Sequence, residues 1–254
     1  KPLEIKHRVI GGGEPLICVP VVEQDAQSVI REITYLSQST ADMIEWRVDA
    51  FRDFTDYNAI RSVFEAVAPL LGEKLFLYTF RTAHQGGMAQ VKAEQLDDLH
   101  DLAAESGCVD LVDLEFFEED RPLHKIKRLR EMGVSVIASH HDFEQTPSPE
   151  VMKMLLEKMC AGGADIVKLA VMPQNYKDVL NLLDVTAQFR EENPDTPVIT
   201  MSMGSLGGIS RISGETFGSC VTFGAHEKPS APGQFAMKEL RQMLDTIHAS
   251  SQIQ

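Results

Sequence analysis

A lysine at position 168 interrupts an apolar run, Ile166-Val167-Lys168-Leu169-Ala170-Val171. Lysine is among the residues least often buried, and a charge inside a strand is costly unless it has a partner or a task. The plain reading is a side chain that lies along apolar surface and carries its ammonium to water. The chemical reading is an amine whose pKa is pulled down by desolvation and neighbouring cations, so that its neutral form can attack a carbonyl. The protonated imine so formed is an electron sink that makes an adjacent C–H acidic.

Other ionisable residues recur at period two in strand-like segments. Glu45, Arg47 and Asp49 share a face with Met43, opposite Ile44, Trp46 and Val48. Thr79 and Arg81 share a face with Leu75 and Leu77, Asp113 and Glu115 lie opposite Val112 and Leu114, and a further segment ends Ser139-His140-His141-Asp142. Consecutive strand residues point to opposite faces, so His140 and His141 cannot readily bind one ion together. A set of His141, Glu45 and Glu115 matches no standard ligand spacing, and no metal is expected. His141 suits proton transfer, because its unperturbed pKa of about 6.5 lies near working pH. Glu45 is the carboxylate expected to orient its ring, whereas His140 reads as packed or partly solvated. Each charged residue alone could belong to a structural ion pair. Five segments delivering charge to one end argue for a site, since burying charge without a task is costly.

To converge, those segments must be neighbouring strands. Strand candidates are 16–21, 43–48, 75–80, 111–115, 134–139, 166–170, 198–203 and 220–223. Helix-period segments lie near 25–37, 57–71, 89–105, 122–132, 148–161, 175–191 and 233–248. Strands alternating with helices predict parallel pairing and right-handed crossovers, and the count favours a single (β/α)8 TIM barrel over 1–254. Residues 1–13, ending in three glycines, are expected to form a β-hairpin closing the barrel's N-terminal end. The Gly/Ser/Pro-rich segments 204–214 and 224–233 follow the last two strands and read as lids, the second over the active site. Gly204-Ser205-Leu206-Gly207-Gly208 matches neither a P-loop nor a dinucleotide fingerprint. Arg211, Ser230 and Gln234 instead offer donors suited to a carboxylate.

The bulk composition excludes several classes. An apolar fraction of 43% and a charged fraction of 24% over 254 residues are ordinary for a soluble domain. No apolar stretch approaches the length of a membrane span, and no signal-peptide core is present. Four scattered cysteines without ligand spacing point to reduced thiols and a cytoplasmic protein. A net charge of −14 with no basic stripe excludes nucleic-acid binding, yet leaves room for a local arginine cluster that takes a small anion.

Ordered motifs then resemble one family. They are Glu45-Trp46-Arg47-Val48-Asp49, Thr79-Phe80-Arg81, Asp113-Leu114-Glu115 and Ser139-His140-His141-Asp142-Phe143. They continue with Lys168-Leu169-Ala170-Val171-Met172-Pro173, Ile199-Thr200-Met201-Ser202-Met203-Gly204, Ser210-Arg211 and Ser230-Ala231-Pro232-Gly233-Gln234. The set resembles type I 3-dehydroquinate dehydratase, the Schiff-base lyase of the shikimate pathway. The resemblance implies an imine between Lys168 and the C3 ketone of 3-dehydroquinate, with His141 moving protons and Glu45 orienting it. It also implies substrate contacts from Glu45, Arg47, Arg81, Arg211, Ser230 and Gln234, apolar walls of Met201, Met203 and Phe223, no cofactor, and a homodimer. There are two departures. Many members carry Glu where Gln85 stands, so less negative charge reaches His141, and some carry a substrate-contacting Ser where Pro20 stands. The rivals are another lysine-imine barrel lyase or aldolase, and a ligand-binding barrel that has lost catalysis.

Overall fold

The computed structural model describes residues 2–253. An antiparallel hairpin of β1 (Leu3–Ile5) and β2 (Arg8–Ile10) comes first. The strands β3 (Leu16–Val21), β4 (Met43–Arg47), β5 (Leu75–Thr79), β6 (Leu111–Glu115), β7 (Ser135–Asp142), β8 (Ile166–Val171), β9 (Val198–Ser202) and β10 (Val221–Phe223) follow. These eight form one parallel sheet in the order β10-β3-β4-β5-β6-β7-β8-β9. A Val198–Ser219 bridge and a 2.8 Å bond from the Cys220 N–H to the Val198 carbonyl bring its two edges together. The result is the TIM barrel predicted from the alternation.

Helices α1 (Ala26–Ser37), α2 (Tyr57–Val67), α3 (Ala93–Glu105), α4 (Pro122–Glu131), α5 (Pro149–Ala161), α6 (Tyr176–Glu192), α7 (Gly214–Phe217) and α8 (Met237–Ser251) complete the chain. Asp25, Asp56, Ser148 and Asn175 cap α1, α2, α5 and α6, each accepting from an otherwise orphaned backbone N–H. α2 stops four residues before the predicted segment ends because Ala68-Pro69-Leu70 tightens into a 3-10 turn. The predicted segment 89–105 begins as a helix only at Ala93, because Ala89 is drawn into a bridge with Thr82. The short α7 has no counterpart in the predicted elements. Among the described residues, no helix is long and apolar enough to cross a membrane.

Alternation divides the apolar residues into two packed groups. Ile44, Trp46, Phe76, Tyr78, Val112, Leu114, Val136, Val167 and Leu169 face the helices. Met43, Leu75, Leu77, Leu111, Ile137, Ile166 and Ile199 fill the barrel interior together with Ile10 of the hairpin, which is fully buried. Leu3 and Ile5 pack against that inner group, so the hairpin closes the N-terminal end. The inward positions at the other end are polar.

Candidate active site

Register sets which side chains meet at the barrel mouth. Lys168 is paired with Ser139 on one side and Ile199 on the other, and His141 with Ala170. Glu115 is paired with Ser139, and Arg47 with Thr79. β7 runs on to Asp142, beyond the 134–139 core and through the Ser139-His140-His141-Asp142 stretch, and so carries His141 to the mouth.

Lys168 is 4% exposed. Its Nζ lies 3.9 Å from Asp113 Oδ2 and 4.2 Å from the centroid of the Phe223 ring. Burial pulls its pKa below the usual lysine range; Asp113 opposes that shift and Arg81 adds to it. Asp113 belongs chiefly to Arg81: Arg81 Nη1 and Nη2 donate to its two oxygens at 3.0 and 2.9 Å. Arg81 Nη1 also reaches Glu115 Oε2 at 2.8 Å, and Ser139 Oγ donates to Asp113 at 2.7 Å. Burial pushes the Asp113 carboxyl up, but the Arg81 and Lys168 cations outweigh it and hold the group below its usual range. Glu115, by contrast, is raised by its burial.

His141 was expected to lean on Glu45, and here the structure corrects the sequence reading. Glu45 Oε2 accepts from Thr79 Oγ1 at 2.8 Å. The residue behind the imidazole is Gln85, whose Oε1 accepts from the His141 backbone N–H at 2.7 Å and stands 3.4 Å from Nδ1. Phe143 stacks on the ring, with centroids 6.1 Å apart and planes 12° apart. A Cβ on Gly86 would fall 2.2 Å from Phe143, and its φ of +86° is left-handed, so glycine is required there. Burial, followed by the Arg81 and Lys168 cations, holds the His141 imidazole well below its usual pKa.

The arginines divide by their partners. Arg47 is tied to Asp49 through two bonds of 2.7 Å, and Arg81 is held by the carboxylates above. Arg211 is different. It is 2% exposed, and its Nη2 donates to the Pro232 carbonyl at 2.8 Å. Its Nε and Nη1 are buried with no hydrogen-bond partner. Burial alone lowers its pKa to about 10. Open donors on a buried guanidinium with no carboxylate beside it suit a bidentate acceptor. Arg211 sits in a 3-10 turn (Gly208–Arg211) fixed by Ser210 Oγ, which accepts from the Ser202 N–H at 2.9 Å. Within 204–214, Ser210 and Arg211 are therefore folded inward and buried, while Ile209 of the same turn is exposed.

The segment after β10 contributes Ser230 and Gln234. Gln234 Oε1 accepts from the Ser230 N–H, and its Nε2 donates to Ser230 Oγ, both at 3.0 Å. Gly233 makes this possible: its φ is +82°, and a Cβ would meet the Gly204 carbonyl at 2.5 Å.

Glu45, Arg47, Arg81, His141 and Lys168 line one cavity, whose walls include Met201, Met203, Phe223, Ser230 and Gln234. Arg211 does not itself line it. The cavity is narrow, with Gly86, Phe143 and Ala231 also on its walls. A roomier cleft of about 550 Å³, lined by Leu123, Arg130, Gly163 and Asp165, lies on the outer surface and pairs no nucleophile with a base. Among the described residues, Asp97, His100 and Glu119 are the group whose ligand atoms could hold a metal ion, within 4.8 Å of one another. The Lys125 ammonium already bridges Asp97 and Glu119, and the group is distinct from the His141, Glu45 and Glu115 set weighed from sequence.

Comparison with known proteins points to one family. The sequence profile of type I 3-dehydroquinase matches residues 17–251. The chain is 41% identical over 247 residues to the 3-dehydroquinate dehydratase of Syntrophotalea carbinolica, covering 97% of this chain and 98% of that protein. It is 42% identical over 245 residues to the Listeria welshimeri enzyme of the same name, covering 96% and 97%. Among solved structures, the type I 3-dehydroquinate dehydratase of Clostridium difficile with covalently modified comenic acid superposes with a TM-score of 0.94. That comparison has 38% identity and covers 98% of this chain and 99% of that one. The Geobacillus kaustophilus 3-dehydroquinate dehydratase also gives 0.94, at 35% identity and coverage of 98% and 97%.

Proposed function

The chain belongs to the type I 3-dehydroquinase family, and from that premise we propose that it dehydrates 3-dehydroquinate to 3-dehydroshikimate through an imine on Lys168. The observation that carries the mechanism is that Lys168, 4% exposed, and His141 line one cavity; burial pulls both side chains toward their neutral forms. The neutral Lys168 amine attacks the C3 ketone, and the carbinolamine takes up a proton from solvent and loses water to give a protonated imine. His141 Nε2, on the side of the ring away from Gln85, takes a proton from C2. The C–H electron pair flows into the imine and forms an enamine. The enamine expels the C1 hydroxyl, which leaves as water with the proton returned by His141. Water then hydrolyses the product imine and frees the amine.

Binding follows from the donors. Arg211, with its unpartnered Nε and Nη1, is the fork for the substrate carboxylate. Ser230, Gln234, Glu45 and Arg47 meet the hydroxyls, while Met201, Met203 and Phe223 keep bulk water from the imine. Arg81, already saturated by carboxylates, acts on the lysine's charge more than on the substrate. Ser230 and Gln234 border the cavity, and the substrate enters past them.

The test is borohydride reduction in the presence of 3-dehydroquinate, followed by peptide mapping. The expected result is a stable adduct on Lys168, together with appearance of the conjugated product's ultraviolet absorbance in the absence of borohydride. Turnover without an adduct, or an adduct on another residue, overturns the mechanism.

A further inference from the structure

The His141 ring is held from behind by an amide, and the amide is itself held. Gln85 is 4% exposed and lies in the 3-10 turn Ala83–Gln85 that follows β5. While its Oε1 faces His141, its Nε2 donates to Glu118 Oε1 at 3.1 Å. Glu118 follows β6 and is anchored by its own N–H on the Glu115 carbonyl at 3.1 Å. The chain of contacts therefore links the loops after β5 and β6 to the end of β7.

Elementary donor and acceptor rules fix the orientation of that amide. A backbone N–H can only donate, so the end of Gln85 facing the His141 N–H must be oxygen. A carboxylate can only accept, so the end facing Glu118 must be the NH₂. A half-turn of the amide would set donor against donor at one end and oxygen against carboxylate at the other. The oxygen facing Nδ1 can in turn only accept, which favours the tautomer protonated at Nδ1 and leaves the Nε2 lone pair for the cavity.

We infer that Glu118, which does not line the cavity, is a positioning residue for proton transfer: through Gln85 it keeps His141 protonated at Nδ1 and free to accept at Nε2. The inference rests on the reading of His141 as the base. A carboxylate placed one amide away does this without setting a full negative charge against the imidazole, which would favour its protonated form. Glu118 is exposed, so its hydrogen bond is partly screened and its effect is graded rather than absolute.

The test uses the full chain labelled with ¹⁵N-histidine, with His141→Asn assigning the His141 ring signals. Tautomer and kcat/KM for 3-dehydroquinate are followed from about pH 5 to 9, the span over which histidine switches. Glu118→Ala is expected to raise the population protonated at Nε2 and to lower kcat by about 3- to 10-fold, as fits a partly screened charge-assisted bond. Its KM stays close to that of the parent. Gln85→Glu sets two carboxylates against each other and lowers kcat. Adding Glu118→Gln to it restores the donor–acceptor pair and recovers turnover, while the acid limb stays at higher pH because the charge now touches the imidazole. An unchanged tautomer in Glu118→Ala, or no recovery in the double variant, overturns the role of Glu118 and leaves that of His141 standing. A tautomer shift with unchanged rate and pH profile removes His141 as the base, and the inference falls with it.

Discussion

The Asp113 carboxylate stands 3.9 Å from the Lys168 amine, outside hydrogen-bond reach, because Arg81 already holds both its oxygens at 3.0 and 2.9 Å. Lys168 thus has a counter-charge without being locked to it. Asp113 raises the lysine's pKa against the effect of burial, so Asp113→Asn should lower it further and shift the pH profile of imine trapping downward. It also strips a buried guanidinium of its main partner, which costs about 3–5 kcal/mol of stability. Borohydride trapping across pH and urea unfolding read the two effects. A trapping profile identical to the parent's removes Asp113 from the lysine's electrostatics.

With His141 as the proposed base, its pKa sets the acid side of the expected pH profile. Burial and two neighbouring cations hold it well below the usual histidine range. Its base form therefore persists below about pH 6.5, the unperturbed value, and the acid limb of kcat/KM lies under that point. His141→Ala should still form the imine, more slowly, and lose nearly all dehydration. Near-parental turnover in that variant eliminates His141 as the proton carrier.

Arg211 carries the clearest binding prediction, because its Nε and Nη1 have no partner. Arg211→Leu should cut kcat/KM by about 10²- to 10³-fold through the loss of a charge-assisted fork worth about 3–4 kcal/mol. Arg211→Lys keeps the charge but not the fork, and should recover only part of the loss. A substrate analogue lacking the carboxylate should bind the parent and Arg211→Leu alike. Discrimination against that analogue by Arg211→Leu would refute the pairing.

Acid stability has a separate source outside the barrel. His100 is 3% exposed, packs edge-on against Tyr78, and is lowered by burial to a pKa of about 4. The unfolded chain takes up that proton near pH 6.5 and the folded chain only near 4, so between these values the unfolded state binds more protons. Stability from this group is complete above about pH 6.5 and lost as pH falls toward 4, by about 3 kcal/mol in all. His100→Leu should remove that part of the slope, as read by urea unfolding at two pH values. An unchanged slope would mean that His100 carries its proton in the folded state.

Period-two alternation made the inner face of β4 to β8 readable, since one step of register decides whether a side chain faces the helices or the cavity. Lys168, Arg81 and His141 were legible for that reason. Which inward group satisfies which other was not. Glu45 shares the inner face with His141, but the sheet places β5 and β6 between their strands, and Thr79 on the adjacent strand takes its oxygen instead. Gln85 and Glu118 lie in turns without periodicity, and the bond from Gln85 to His141 spans 56 positions. The partnerless atoms of Arg211 were equally hidden, because an absent partner leaves no mark in a sequence. The four-residue α7 is too short for any helical period to register.

The hairpin at the far end has a consequence for molecular traffic. With Ile10, Met43, Leu75, Leu111, Ile137, Ile166 and Ile199 all fully buried beneath the charged residues, the described residues pack the hairpin end of the barrel shut. In the proposed reaction, substrate, product, the expelled water and the water that cleaves the imine would share one threshold, bordered by Ser230 and Gln234.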